Sequence, residues 1–152
     1  MDTLSPEDSK VLGLLMDRGR MSWSGLAKQL GVTPPAAADR VRRLEQRGVI
    51  RGYAALLDPE AVGCALTAFV FVTLARPRDR GAFLKLIGRL DEVQECHDVA
   101  GDDDYLLKIR CAGTRELDNL ISRKLKAFSG VVRTRTTIAM GTIKESVRLP
   151  LQ

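Results

Sequence analysis

Between Thr33 and Tyr53 the chain reads TPPAAADRVRRLEQRGVIRGY, two prolines and three alanines followed by Arg40, Arg42, Arg43, Arg47 and Arg51, with Glu45 the one acid among residues 40–51. Guanidinium groups this dense in one sign suit a polyanion, because each can fork onto phosphate oxygens or onto the O6 and N7 of guanine. The slim residues ahead of them would let a helix backbone approach base edges in a major groove, and the cations further along would meet the phosphates where the helix leaves it. On this reading Arg40 or Arg43 addresses guanine, Asp39 a cytosine amino group, and Pro35 or Ala36 a thymine methyl. Ser22, Ser24 and Thr33, at the starts of two helices, add hydroxyl or backbone N–H contacts to phosphate. The plainer alternative is a solvated helix face on which Asp39 and Arg43 form an i, i+4 pair. Since Pro35, Ala36, Ala37 and Ala38 carry no hydrogen-bonding side chain, much of the sequence preference is expected to come from DNA bending and A·T-rich flexibility.

A second cluster lies in GDDDYLL, residues 101–107. Gly101 can take a positive φ and leave backbone N–H groups open to a carboxylate, while Asp103 or Asp104 can hold an ammonium by charge-assisted hydrogen bonds. Together those are the two ends of a free amino acid. Gly-Asp is also ordinary hairpin chemistry, and an acidic loop can equally pair with arginines of a neighbouring subunit. Catalytic constellations are not evident. His97, the only histidine, has no second histidine or cysteine at ligand spacing, and Cys64, Cys96 and Cys111 are scattered through apolar surroundings as reduced packing residues. No metal and no cofactor are expected.

The elements that must position these groups fall into two grammars. Up to about residue 50 the apolar residues recur at helical spacing, interrupted at Gly19, Gly31 and Gly48. Three short helices are predicted. The first has Ser5 as N-cap and Pro6 at its first position, and buries Val11, Leu12, Leu14, Leu15 and Met16. The second buries Leu26, Ala27 and Leu30, and the third starts from Thr33 and Pro34 and buries Ala37, Val41 and Leu44. This is the outline of a helix-turn-helix. Residues 51–63 are predicted to be a hinge strand and linker, with VIRGYAALL as the strand. From residue 64 strand-like runs alternate with helices in the order β-α-β-β-α-β, which is a ferredoxin-like sheet with both helices on one face. The chain is thus read as α+β, with a DNA-binding segment at 1–50 and a second domain at 64–152. The strand ALTAFVFVTLA is apolar on both sides, so a second subunit is expected to cover the helix-free face near Phe69, Phe71 and Val72.

Composition agrees with a globular protein. Of the 152 residues 45% are hydrophobic and 28% charged, and the net charge of +5 favours an anionic partner. The longest apolar run falls short of the ~20 residues that cross a bilayer, and no secretory signal pattern opens the chain, so a cytoplasmic protein without a membrane partner is expected.

The segment SGLAKQLGVTPPAAADRVRRLEQRGVIRGYAALLDP followed by VAGDDDYLLKI strongly resembles the Lrp/AsnC, or feast/famine, family of transcriptional regulators. The resemblance spans nearly the whole chain. It implies a helix-turn-helix of the winged type and a ferredoxin-like sensing domain, called RAM. It further implies a homodimer formed through the sensing domains, commonly extended to a tetramer or octamer, that bends double-stranded DNA and answers to a small effector, usually an amino acid. Carried over by position, the effector contacts are Gly101, Asp103, Asp104, Tyr105, Thr134 and Thr136. Family members commonly have a hydroxyl residue near Pro35 and bulkier side chains where Ala37 and Ala38 stand. Two other readings remain: an enzyme resembling the sirohaem decarboxylases, with His97 as proton donor, and an architectural DNA-binding protein without an effector.

Overall fold

The computed structural model describes residues 4–151. They divide into two compact units, one of residues 4–55 together with 145–151, the other of residues 56–144.

The first unit carries three helices, α1 (Pro6–Asp17), α2 (Trp23–Leu30) and α3 (Pro34–Gln46). Each starts on a hydroxyl. Ser5, Ser22 and Thr33 accept hydrogen bonds from the backbone N–H groups of Asp8, Gly25 and Ala36, which removes one unsatisfied donor per helix and is worth about 1 kcal/mol each. Proline follows the cap in α1 and α3, where its missing N–H costs nothing. Gly31, with φ of +71°, ends α2 in the left-handed conformation and reverses the chain into α3 within three residues. Val11, Leu26, Ala27, Ala37, Val41 and Leu44 form the buried centre, with Leu12, Leu14, Leu15 and Leu30 packed around it. Each fully buried aliphatic side chain here contributes about 1.5–3 kcal/mol. From residue 145 the chain rejoins this unit, where Arg148 pairs with Asp17.

Residues 51–57, expected as a strand, form none. A strand needs a neighbour to take its N–H and C=O groups, and among the described residues of this chain the segment has no such partner. Tyr53, Leu56 and Leu57 are exposed there, and the Tyr53 hydroxyl instead donates to Glu45 at 3.0 Å.

The second unit is a four-stranded antiparallel sheet in the order β2-β3-β1-β4, built from β1 (Leu66–Leu74), β2 (Val93–Asp98), β3 (Tyr105–Cys111) and β4 (Val131–Ile138). A 3-10 turn at Pro77–Asp79 leads into α4 (Arg80–Ile87), which links β1 to β2. Then α5 (Thr114–Asn119) continues through a π-helical stretch, Leu120–Leu125, before β4. The ferredoxin-like order predicted from the sequence is the one observed. Strand alternation sorts the sheet into two faces. Ala68, Val70, Val72, Leu107 and Ile109 meet Phe83, Leu117, Leu120 and Leu125 of the helices in a dry core. Val72, expected near a subunit interface, belongs to this core and is fully buried. Phe69 and Phe71, one residue out of phase with it, are half-buried on the helix-free face with Leu106.

Candidate nucleic-acid interface and effector loop

The arginines of α3 are divided by what α1 offers. Asp8, in the first turn of α1, accepts from Arg40 at 3.1 Å and from Arg47 at 3.4 Å, and it is only 14% exposed. Burial pushes its carboxyl up, but the hydrogen bonds from Arg40 and around Ser5 outweigh that and hold it below the usual carboxylate range. Arg40 and Arg47 therefore clasp α3 to α1. Arg42 and Arg43 point away from the core and are 63% and 61% exposed. Asp39 stands between them at 3.6 and 3.4 Å, so the i, i+4 pair with Arg43 weighed from the sequence is present and is joined by an i, i+3 pair with Arg42. Pro35 and Ala36 lie exposed one turn earlier, and Arg51 is exposed beyond the helix.

Ser22 and Thr33 use their hydroxyl oxygens as caps, and Ser24 is exposed in the first turn of α2. Two cations that sequence reasoning passed over, Arg18 and Arg20, are exposed beside an open recess of about 500 Å³ that also meets Met21 and, along α2, Gly25 and Gln29. The signal was the basic pair around Gly19.

In the second unit the loop between β2 and β3 splits its three carboxylates among different tasks. Asp103 is buried. Its Oδ1 accepts from the Thr73 hydroxyl at 2.9 Å and Arg133 at 3.0 Å, and its Oδ2 from Arg135 at 3.0 Å. Arg133 also donates to the Asp102 carbonyl, and the Arg135 guanidinium lies 4.0 Å from the centre of the Phe71 ring. Expected as an ammonium ligand, Asp103 is instead held by arginines of its own chain. Arg135, followed by Thr73 and Arg133, holds its carboxyl below the ordinary range. Residues 133 and 135 alternate on one face of β4, and such a pair of cations on one side of a strand calls for an anion.

Asp104 takes the Leu74 N–H at 2.7 Å and is otherwise exposed. It lines a recess of about 200 Å³ with Leu74, Ala75, Arg76, Pro77, Arg80, Asp98 and Tyr105. Tyr105 is 3% exposed and stacks against Phe83 with ring centres 4.9 Å apart, and burial pushes its phenol up, so it stays neutral. Gly101, whose φ is +156°, is exposed in the loop, and Thr134 and Thr136 lie on the helix side of the edge strand β4; none of the three lines the recess. The structure thus brings together Asp104 and Tyr105 of the six expected effector residues and adds Arg76, Arg80 and Asp98.

Residues 67–149 match the model of the Lrp/AsnC ligand binding domain, and residues 7–51 that of a winged helix-turn-helix DNA-binding domain. The chain belongs to the Lrp/AsnC family. Among its relatives, the leucine-responsive regulatory protein of Escherichia coli (strain K12) is 40% identical over 147 residues, covering 95% of this chain and 90% of that protein. A transcriptional regulator of Neisseria meningitidis, solved in complex with L-Met, superposes with a TM-score of 0.93 at 30% identity and covers 97% of each chain. A feast or famine regulatory protein of Mycobacterium tuberculosis, complexed with L-methionine, gives 0.83 at 38% identity over 95% of this chain and 97% of its own. These proteins are named as regulators, so this Lrp/AsnC member is a helix-turn-helix transcriptional regulator and the decarboxylase reading is set aside. Among the described residues no helix is long and apolar enough to cross a membrane.

Because the folded-state pKa of Asp103 is depressed, its stabilising effect is complete above the ordinary carboxylate pKa of about 3.9 and is lost as pH falls below it. Thermal melts of wild type and Asp103→Asn should therefore differ most near neutral pH and converge in acid. A difference that ignored pH would mean that the carboxylate charge is not what stabilises the loop.

Proposed function

We propose that this regulator binds double-stranded DNA through the outer flank of α3, as a homodimer or a larger homo-oligomer, and that an amino acid modulates it from the recess beside Asp104. The DNA reading is carried by one observation: on a helix whose opposite face is sealed by Ala37, Val41 and Leu44, the Arg42 and Arg43 side chains stand in solvent. Long-range attraction to phosphates would come from these two with Arg18, Arg20 and Arg51, aided by the backbone N–H groups of Trp23 and Ser24 at the start of α2; α3 opens on Pro34 and Pro35 and its Ala36 N–H is held by Thr33, so it adds no such donors. Arg40 and Arg47 serve first to fix the helix and reach phosphates only by leaving Asp8. Pro35 and Ala36 leave room for the backbone to approach, and DNA deformation supplies part of the sequence preference.

Support for an assembly comes from the helix-free face of the sheet, where Phe69, Phe71 and Leu106 are only half-buried. Symmetric contact between two such faces would present two reading helices to a nearly palindromic site. The amino-acid reading rests on the mixed charge of the recess, where Arg76 and Arg80 suit a carboxylate and Asp98 and Asp104 an ammonium, around the apolar Leu74 and Tyr105. The two related regulators solved with methionine support the same ligand class.

Gel-shift titration at two salt concentrations tests the DNA reading. Wild type should lose affinity steeply with salt, and replacing Arg42 and Arg43 together by alanine should flatten the log–log slope by about 1 for each phosphate that is no longer neutralised. If Arg43 reads a base, Arg43→Ala alone should cost about 1–3 kcal/mol on the preferred duplex and less on random DNA. An unchanged slope in the double variant would remove α3 from the interface.

Sedimentation of the purified chain should show at least a dimer; a monomer at micromolar concentration would end the assembly proposal. In a thermal-shift screen, L-methionine or another free amino acid should raise the melting temperature of wild type. Asp104→Asn, which keeps an acceptor for the Leu74 N–H but removes the charge, should lose that rise. Equal responses of the two proteins would place the ligand elsewhere.

A further inference from the structure

On the outer flank of α3 one carboxylate stands where the chemistry of DNA binding would not ask for one. Asp39 is 51% exposed and bridges Arg42 and Arg43. Residues 34–38 ahead of it are two prolines and three alanines, and the Thr33 hydroxyl is already engaged by the Ala36 N–H. Arg40, its neighbour in sequence, is turned to Asp8. Within the first two turns of α3, the part of a reading helix that reaches deepest into a groove, Asp39 is thus the one polar side chain turned outward to face a base once it parts from Arg42 and Arg43.

We propose that Asp39 is a specificity-determining residue of this regulator, a filter that weakens binding to any duplex lacking a suitable donor at its position and accepts from a cytosine amino group where one is present. The proposal rests on the α3 reading above. Two physical effects carry it. A carboxylate brought among phosphates is repelled whatever the sequence, and it competes with them for Arg42 and Arg43. Once pressed against base edges it has also shed its water. Guanine N7 and O6 or thymine O4 then leave it unsatisfied, and adenine sets the N7 acceptor beside its N6 donor. Cytosine offers the N4 donor with only C5–H beside it on its own ring. The penalty is therefore relieved at one base and kept at the others, and discrimination arises from what Asp39 forbids as much as from what it binds.

The alternative role, a side chain that only braces the helix by its ion pairs, predicts equal effects on all DNA. The test uses a duplex selected by the wild-type protein from a randomised pool, and an unselected random duplex as reference. Asp39→Ala, which favours helix and keeps the buried face of α3 intact, should bind the random duplex several-fold tighter. Its ratio of selected to random affinity should fall by about tenfold or more, the scale of a single mismatched base pair. Asp39→Asn, repeated through selection, should move the preferred base at one position from cytosine toward adenine, whose N6 and N7 match an amide. Equal changes on both duplexes with Asp39→Ala, or an unaltered preference with Asp39→Asn, would overturn the proposal while leaving the interface in place. Failure of the wild-type protein to bind any duplex would overturn the interface and the filter together.

Discussion

The seam of Ala37, Val41 and Leu44 fixes the roll of α3 about its own axis, and every property of the exposed flank proposed to meet DNA follows from that roll. With three side chains sealed inside, successive residues are dealt to inside, edge and outside at about 100° per step. Arg42 and Arg43 fall outside. Arg40 and Arg47, seven residues apart, fall along one edge, where a single carboxylate from α1 reaches both. Packing and electrostatics thus cooperate: burial sets the angle, and the Asp8 clasp resists rotation that burial of small alanine alone would restrain weakly. In the proposed mode of binding a duplex meets a helix that is already held, so little ordering of α3 need accompany it.

The sensing unit has an equivalent node in Asp103. Its carboxylate joins the tip of the β2–β3 loop to Thr73 at the end of β1 and to two arginines on β4, so three segments meet at one buried charge. Asp104, next in sequence, ties the same loop to the Leu74 backbone from the other side. The recess that could hold an amino acid is built against this braced loop, and the helix-free face with Phe71 and Arg135 begins at the same node. The proposed ligand recess and assembly face consequently share one set of supports. A ligand that moved the loop would bear on both.

Much of this was legible in the residues. Hydroxyl caps, prolines at the first helical turn and glycines at the ends gave all three helices, and the unbroken apolar run of β1 gave a strand that is apolar on both faces. The order of strands and helices then left one sheet topology. What escaped lay in long-range pairing. Nothing local says that Asp8 will meet Arg40 and Arg47, or that Asp103 will be claimed by Arg133 and Arg135, because each partnership joins segments about thirty or more residues apart. The same blindness explains Val72, whose neighbours Phe71 and Thr73 point the other way, and residues 51–57, whose pattern suits a strand but which find no ladder among the described residues. Of the six residues expected at an effector site, Asp104 and Tyr105 line a common recess, and its cations, Arg76 and Arg80, come from a loop and helix start whose proximity only the fold reveals.

The bareness of the first turn of α3 has an evolutionary corollary. Residues 35, 36 and 39 lend nothing to the interior, and the clasp that holds the helix lies on another edge. On the proposed mode of recognition, such a scaffold separates what keeps the protein folded from what tells one operator from another. Descendants of this chain could then exchange those few positions and acquire new target genes while the framework, and the signal it receives, pass on unaltered.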